Sequence, residues 1–250
     1  MLIQETNNTV VWLRPHQVVA KVGVHAGSEE RIVREHEVAS ALVVAGAPIA
    51  PPISDAPPLR DVESDFVVTL WNRVDHDPNA ESTGDVVGRS LGQLHEALLE
   101  INVDVPSFRE GLRRTQAALA DDGRTVSLAI PDRHLLRSVF TDLLAKLDGF
   151  SFVEQGLHGE PHVGNYLVTT SGLRWIDFED ACRGPLEWDL AFLPADAVAT
   201  FENVDSSLLE LLTTLNSARV ATWCLIQARF PKMRAHGEYH LEQVRERWKP

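Results

Sequence analysis

The sequence predicts an α+β chain in two parts: a small N-terminal part of strands with one helix, then a larger, mainly helical part. Three observations carry this. Short β-branched runs crowd the first 75 residues, among them Thr9–Leu13, Val18–Val24 and Phe66–Leu70. Beyond Asp75 apolar residues recur at helical spacing. The composition changes near Trp71–Asp75, which sets the expected domains at 1–72 and 73–250. With 250 residues the chain is long enough for one large or two small domains with a real core.

In order, Asn7-Asn8 and Pro15-His16 punctuate the first strands as turns. Ser28 to Ala45 reads as a helix. Ser28 caps it, Glu29 and Glu30 sit in the positive first turn, and Gly46 ends it. Pro48, Pro51, Pro52, Pro57 and Pro58 mark an extended connector to the strand at Phe66. Thr83 to Ile101 carries Val87, Leu91, Leu94 and Leu98 on one face, and Gly84, Gly88 and Gly92 at four-residue spacing read as close packing. Further helices run from Phe108 to Ala120, from Pro131 to Leu147, and from about Leu186 onward.

Charge and composition exclude several classes. A formal net charge of −13 is ill suited to nucleic acid and compatible with a cationic ligand. The two cysteines, Cys182 and Cys224, lack CxxC spacing, which argues against a zinc site or a disulfide framework and for a reducing compartment. No apolar run reaches the ~18 residues of a membrane span, and Met1-Leu2-Ile3-Gln4-Glu5 lacks a basic leader. A cytoplasmic protein is expected.

The chemistry concentrates between Leu157 and Asp180. Tyr166–Val168 and Leu173–Ile176 read as two strands joined by a turn at Thr169–Gly172. Asn165 precedes the first strand and Asp177 follows the second. Neighbouring strands lie about 5 Å apart, so a carboxamide oxygen and a carboxylate reach the same end of the hairpin. Magnesium favours such hard oxygen ligands and completes its shell with water and substrate phosphates. Glu160, five residues before Asn165, sets a carboxylate beside that metal site, suited to steering a nucleophile's proton. A zinc-hydrolase reading of His158, Glu160, His162 and Asp177 fares worse. Gly159, Pro161 and Gly164 break the helix that a zincin motif needs.

The run His158-Gly159-Glu160, then Asn165, then Ile176-Asp177-Phe178 resembles the catalytic loop and metal-binding motif of the aminoglycoside phosphotransferase family. Gly184-Pro185 with Trp188-Asp189-Leu190-Ala191 resembles the family's continuation. The resemblance spans nearly the whole chain and implies a two-lobed, protein-kinase-like fold. It implies Mg2+-dependent transfer of the ATP γ-phosphoryl group to the hydroxyl of a small molecule, with Asn165 and Asp177 holding the metal. In that fold a strand lysine binds the phosphates and pairs with a glutamate on the next helix. By itself Lys21 reads as a lysine facing solvent from an alternating strand, and the resemblance implies that it is that lysine. On the helix Glu35 lines up with Ile32, Ala39 and Leu42, whereas Glu37 points the opposite way, and a carboxylate on an apolar face needs a partner. Arg34-Glu35 also matches the family's Arg-Glu, so Glu35 is the expected partner. Leu70 and Asn72 flank the implied hinge, whose backbone would bind adenine, and Trp71 either flanks the base or packs. The turn Thr6-Asn7-Asn8-Thr9 holds no glycine-rich loop. Glu160 stands where the family usually has Asp, so it is either the base or the mark of a non-catalytic nucleotide-binding protein. The same resemblance gives His158 to loop support and Asp189 to anchoring the loop, while His162 either stabilises the loop or reaches the acceptor or the phosphate. Glu179 and Asp180 read as a solvated turn, or else as a face toward a cationic acceptor, and Cys182 and Cys224 as packing residues.

Overall fold

Strands β1 Leu2–Glu5, β2 Asn8–Trp12 and β3 Val18–Gly23 open the chain, followed by helix α1 Glu29–Val44, β4 Leu59–Arg60 and β5 Val67–Asn72. Helices α2 Gly84–Glu100, α3 Phe108–Ala120 and α4 Ile130–Leu147 come next, then β6 Gln155–Leu157, β7 Tyr166–Thr169, β8 Gly172–Trp175 and β9 Cys182–Gly184. Helices α5 Leu186–Leu190, α6 Ala195–Val198, α7 Ser206–Ile226 and α8 Pro231–Arg247 complete it. The structure, a computed structural model, describes residues 1–5, 8–23, 29–64 and 66–249. The expected cap Ser28, the strand end Val24 and the turn residues Thr6 and Asn7 lie outside the described residues. The chain divides into two compact units. One comprises Met1–Pro106, Gln155–Arg183 and Leu193–Glu202, and the other comprises Ser107–Glu154, Gly184–Phe192 and Asn203–Pro250.

The first unit is built on an antiparallel sheet of order β1-β2-β3-β5-β4. β-Branched residues of β2 and β3 pair in unbroken register from Asn8↔Gly23 to Trp12↔Val19, and β3 meets β5 from Val18↔Asn72 to Gly23↔Val67. Strands β1 and β4 carry no alternating pattern, and the sequence did not reveal them. One face of α1 buries Ile32, Val38, Ala39 and Leu42. The helix terminates at Gly46, whose φ of 74° suits glycine best.

The proline-rich connector then does two jobs. Its Ala50 amide donates to the Trp175 carbonyl and its Pro48 carbonyl accepts from the Trp175 amide, both at 2.9 Å. Further on, the Ile53 amide donates to the Leu70 carbonyl (2.9 Å) and the Pro51 carbonyl accepts from the Asn72 amide (3.0 Å). Hairpin β7–β8 and strand β5 are thereby joined through one extended segment.

In the second unit α7 starts at Asp205, whose carboxylate accepts from the Ser207 and Leu208 amides at 2.9 and 3.1 Å. Helices α7 and α8 approach closely at Gly237, where a Cβ would lie 2.8 Å from Leu225. The indole of Trp223 donates to Thr115 at 2.9 Å, tying α7 to α3. Arg219 on α7 lies over the rings of Trp188 and Phe192. Asp189, in α5, is fully buried. No described helix is long and apolar enough to cross a membrane.

The α2 glycines test the packing in the first unit. A Cβ on Gly88 would sit 2.4 Å from the Ala197 carbonyl oxygen of α6, whereas one on Gly92 meets nothing within 4 Å. Gly88→Ala should destabilise by about 1–3 kcal/mol through overpacking. Gly92→Ala should stabilise by about 0.5–1 kcal/mol through helix propensity. Urea denaturation of the two variants checks the contrast.

Candidate active site

Lys21 lies mid-strand in β3 and is only 8% exposed. Its ammonium has three protons to give, and three carboxylates surround it. Glu35 Oε2 lies at 2.7 Å, Asp177 Oδ1 at 2.9 Å and Glu179 Oε1 at 2.6 Å. Glu35 reaches it because α1 turns that side chain, 2% exposed, onto the same face as Ile32 and Leu42, while Glu37 faces solvent. Glu179, 5% exposed, also accepts from the side-chain amide of Asn8 in β2. Arg31, one helical turn before Glu35, reaches Glu179 Oε2 at 3.3 Å and Asp180 Oδ1 at 3.1 Å.

The electrostatics follow from this crowding. Burial opposes the Lys21 charge, but Glu35, Asp177 and Glu179 outweigh it and hold the ammonium well above its ordinary range. Burial pushes the Glu35 carboxyl up to about 8, aided by Asp177 and Glu179 and opposed by Lys21. Burial also acts on Asp177, yet the charge and hydrogen bond of Lys21 keep it below the ordinary carboxylate value. Three carboxylates around one ammonium cannot all ionise freely, and the deepest of them yields.

Oxygens of Glu35, Asp177 and Glu179 lie close enough together to hold a metal ion, but the Lys21 ammonium contacts all three. The cation of this nest is the lysine itself. Asp177 differs from its neighbours in keeping a side chain 40% exposed, so a further cation can approach it from outside.

Asp177 owes its position to the hairpin. Tyr166 pairs with Trp175, and the Ile176 amide donates to the Asn165 carbonyl at 2.9 Å, so both strand ends finish together. The Asn165 side-chain amide nitrogen donates to the Glu160 carbonyl at 2.9 Å, which fixes the orientation of the carboxamide. Asp177 then takes left-handed dihedrals, φ 67° and ψ 64°, a sparsely populated conformation for a residue with a side chain. Its neighbours enforce the turn. Phe178 is fully buried, with its ring 4.7 Å from that of His158. His158 Nε2 donates to the Ile176 carbonyl at 3.0 Å, and its Nδ1 faces the Glu160 amide at 3.4 Å. One imidazole thus spans the loop before Glu160 and the residue before Asp177. Gly159 (φ 88°) passes so close to Asp180 that a Cβ would lie 1.8 Å from its carbonyl oxygen. His162 Nδ1 accepts from the Gly164 amide at 2.9 Å, closing the turn that ends at Asn165.

The expected hinge is differently engaged. The Leu70 carbonyl and the Asn72 amide, expected to meet adenine, are bonded to Ile53 and Pro51 of the connector. The Trp71 indole donates to Thr69 at 2.9 Å, and its ring meets His36 edge-on, which is a packing arrangement. Glu179 and Asp180 correct the reading of a solvated turn, since both are drawn into the ion-pair network by Lys21 and Arg31. The available signal was Arg31: four residues before Glu35, it sits on the inward face and requires an acidic partner. Cys182 and Cys224 carry no disulfide, and Cys182 is buried.

Residues 4–212 match the family model described as the phosphotransferase enzyme family, APH. The chain belongs to this family. Among curated protein sequences nothing matches it. Several solved structures of small-molecule kinases share its fold. The phosphotransferase-family chain superposes on the amicoumacin kinase hAmiN, in complex with AMP-PNP, Ca2+ and Ami, with a TM-score of 0.74 at 13% identity, over 98% of this chain and 87% of that one. For a microcompartment-associated aminopropanol kinase the TM-score is 0.74 at 16% identity, with 98% and 89% covered. For choline kinase LicA from Streptococcus pneumoniae it is 0.67 at 14% identity, with 96% and 89% covered. The fold is therefore protein-kinase-like, an α+β arrangement with a five-stranded antiparallel sheet at the N-terminus.

Two consequences can be measured. A carboxyl raised to about 8 in the folded protein but ordinary in the unfolded chain favours folding while protonated. Its contribution is complete below the ordinary Glu value and is lost as pH rises toward 8. The melting temperature of the ligand-free protein should fall between about pH 5 and about pH 8, and Glu35→Gln should flatten that slope. Separately, Gly159→Ala should abolish folding of the loop or cost more than about 3 kcal/mol, because φ and space both forbid a Cβ. Circular dichroism melts of the variant check this.

Proposed function

We propose that the protein transfers the γ-phosphoryl group of ATP to a hydroxyl of a small molecule, with Mg2+ as the metal. The observation that carries this reading is the meeting of Lys21, Glu35 and Asp177 at the hairpin end that also bears Asn165. Lys21 reaches the phosphates of the nucleotide from a place fixed by Glu35. The Asn165 and Asp177 oxygens form the metal position, a pair of hard ligands at the edge of an acidic cluster. Asp177, Glu179 and Asp180 against Lys21 and Arg31, with Glu35 protonated up to about pH 8, leave net negative charge for a divalent ion to balance. Bound there, the metal neutralises charge on the transferring phosphoryl group.

Glu160 receives the proton of the acceptor hydroxyl as its oxygen bonds to phosphorus. The bond from phosphorus to the bridging oxygen breaks, and its electron pair leaves with ADP. Glutamate in place of the family's usual aspartate moves the carboxylate outward by one methylene, so the acceptor sits correspondingly farther from the loop. The amicoumacin, choline and aminopropanol kinases among the structural neighbours, with the −13 charge of this chain, support an acceptor that carries positive charge.

An ATP-consumption screen over hydroxyl-bearing amines, antibiotics and metabolites tests the reading, and at least one acceptor should stimulate turnover. With that acceptor, Glu160→Gln should lower the turnover number by about 10²–10⁴-fold with nucleotide affinity nearly unchanged. Asp177→Asn should abolish Mg2+-dependent turnover in a folded protein. Tight ATP binding without turnover on any acceptor would instead support a non-catalytic nucleotide-binding role, and unchanged turnover in Glu160→Gln would remove that residue from the mechanism.

A further inference from the structure

We propose that Arg31 is a positioning residue for the nucleotide site: acting through Glu179 and Asp180, it locks helix α1 to the turn after Asp177 and so keeps Lys21 in place before any nucleotide arrives. The inference rests on the functional reading above for its nucleotide readout, and on geometry for the rest.

The Glu179 carboxylate is divided between two cations. Oε1 takes Lys21 at 2.6 Å, and Oε2 faces Arg31 at 3.3 Å. The same Arg31 Nη2 lies 3.1 Å from Asp180. Arg31 and Glu35 occupy successive turns of α1, so the helix is attached to the metal-bearing turn at two levels. One attachment runs through Glu35 and Lys21, the other directly through Arg31. The turn itself, residues 178–180, is a single 3₁₀ turn whose inner backbone bond runs from Ala181 to Phe178. Side chains must therefore fix its rotation. Phe178 is anchored by burial, and Arg31 holds the two carboxylates that follow it.

Without the guanidinium, Asp177, Glu179 and Asp180 would share the single charge of Lys21. Like charges this close repel strongly in a partly buried site. The turn would relax outward, Lys21 would follow whichever carboxylate stayed, and its reach to the phosphates would be lost. Arg31 contacts neither of the groups proposed to hold metal, Asn165 and Asp177, in the described hydrogen bonds and ion pairs. Its effect is on arrangement.

The test uses the full-length protein. Arg31→Met keeps most of the length and removes the charge, and Arg31→Lys keeps the charge on a shorter side chain, with an ammonium in place of the planar guanidinium whose Nη2 bridges Glu179 and Asp180. AMP-PNP with Mg2+ is titrated by calorimetry, and amide hydrogen exchange is followed along α1. Arg31→Met should weaken AMP-PNP binding about tenfold, within the usual range for a coupled but non-contacting position. It should also speed exchange in α1, and Arg31→Lys should recover part of both. Combined with Glu179→Gln, Arg31→Met should cost little more than Glu179→Gln alone, because the two act as a unit. A lowered melting temperature with unchanged AMP-PNP affinity would show a merely structural role and overturn the proposal. If Arg31→Met does not fold, Arg31→Lys decides: wild-type affinity and exchange in that variant also overturn it. A wild-type protein that binds no nucleotide overturns the functional reading and this inference together, whereas wild-type binding with an indifferent Arg31→Met overturns this inference alone.

Discussion

A buried ammonium cannot stand without compensation, and at Lys21 that compensation comes from three separate places in the chain. Helix α1 supplies Glu35, the end of the β7–β8 hairpin supplies Asp177, and the following turn supplies Glu179. Each carboxylate is in turn too crowded to be buried without the lysine. The sheet, the helix and the hairpin are therefore held to one mutual arrangement by a single charge. Packing defines the elements, but this nest defines how those three elements meet within the first unit.

The rest of that unit can be read as the scaffolding of the nest. Register between β3 and β5 places Lys21 opposite fully buried Thr69. The connector from Pro48 to Ile53 bonds the hairpin strand β8 on one side and β5 on the other, so a shift of one is felt by the other. His158 braces the loop of Glu160 against the residue before Asp177. Gly159 lets that loop pass the turn at a distance no side chain would allow. None of these groups needs to touch substrate for the chemistry to depend on them.

How much of this was legible in the sequence varied with the range of the physics involved. Helices α2, α3 and α4 follow from local periodicity, and their observed limits lie within a residue or so of the expected ones. Glu35 was legible because a carboxylate among Ile32, Ala39 and Leu42 violates the pattern of its own helix. Convergence of Asn165 and Asp177 was legible because a hairpin is a short-range structure. Glu179 was not, since nothing within a few residues distinguishes it from a solvated turn. Its partners Lys21 and Asn8 are over 150 positions away, and only the completed fold brings them near. The pairing of the hinge backbone was hidden for the same reason. Paired groups at Leu70 and Asn72 are set by a connector whose prolines signal extension but not which strand they will border.

The order of synthesis gives the nest a history. The sheet lysine and the helix glutamate are translated within 15 residues of each other, and they balance one charge against one. Asp177 and Glu179 follow about 140 residues later, a delay on the order of ten seconds at common elongation rates. Through that interval Arg31 waits on α1 as a cation whose acidic partners do not yet exist. The emerging chain is thus briefly more positive at this spot than the finished protein, which favours capture of the acidic turn when it appears. Completion of the first unit is consequently an event of the last third of translation, however early its strands have formed.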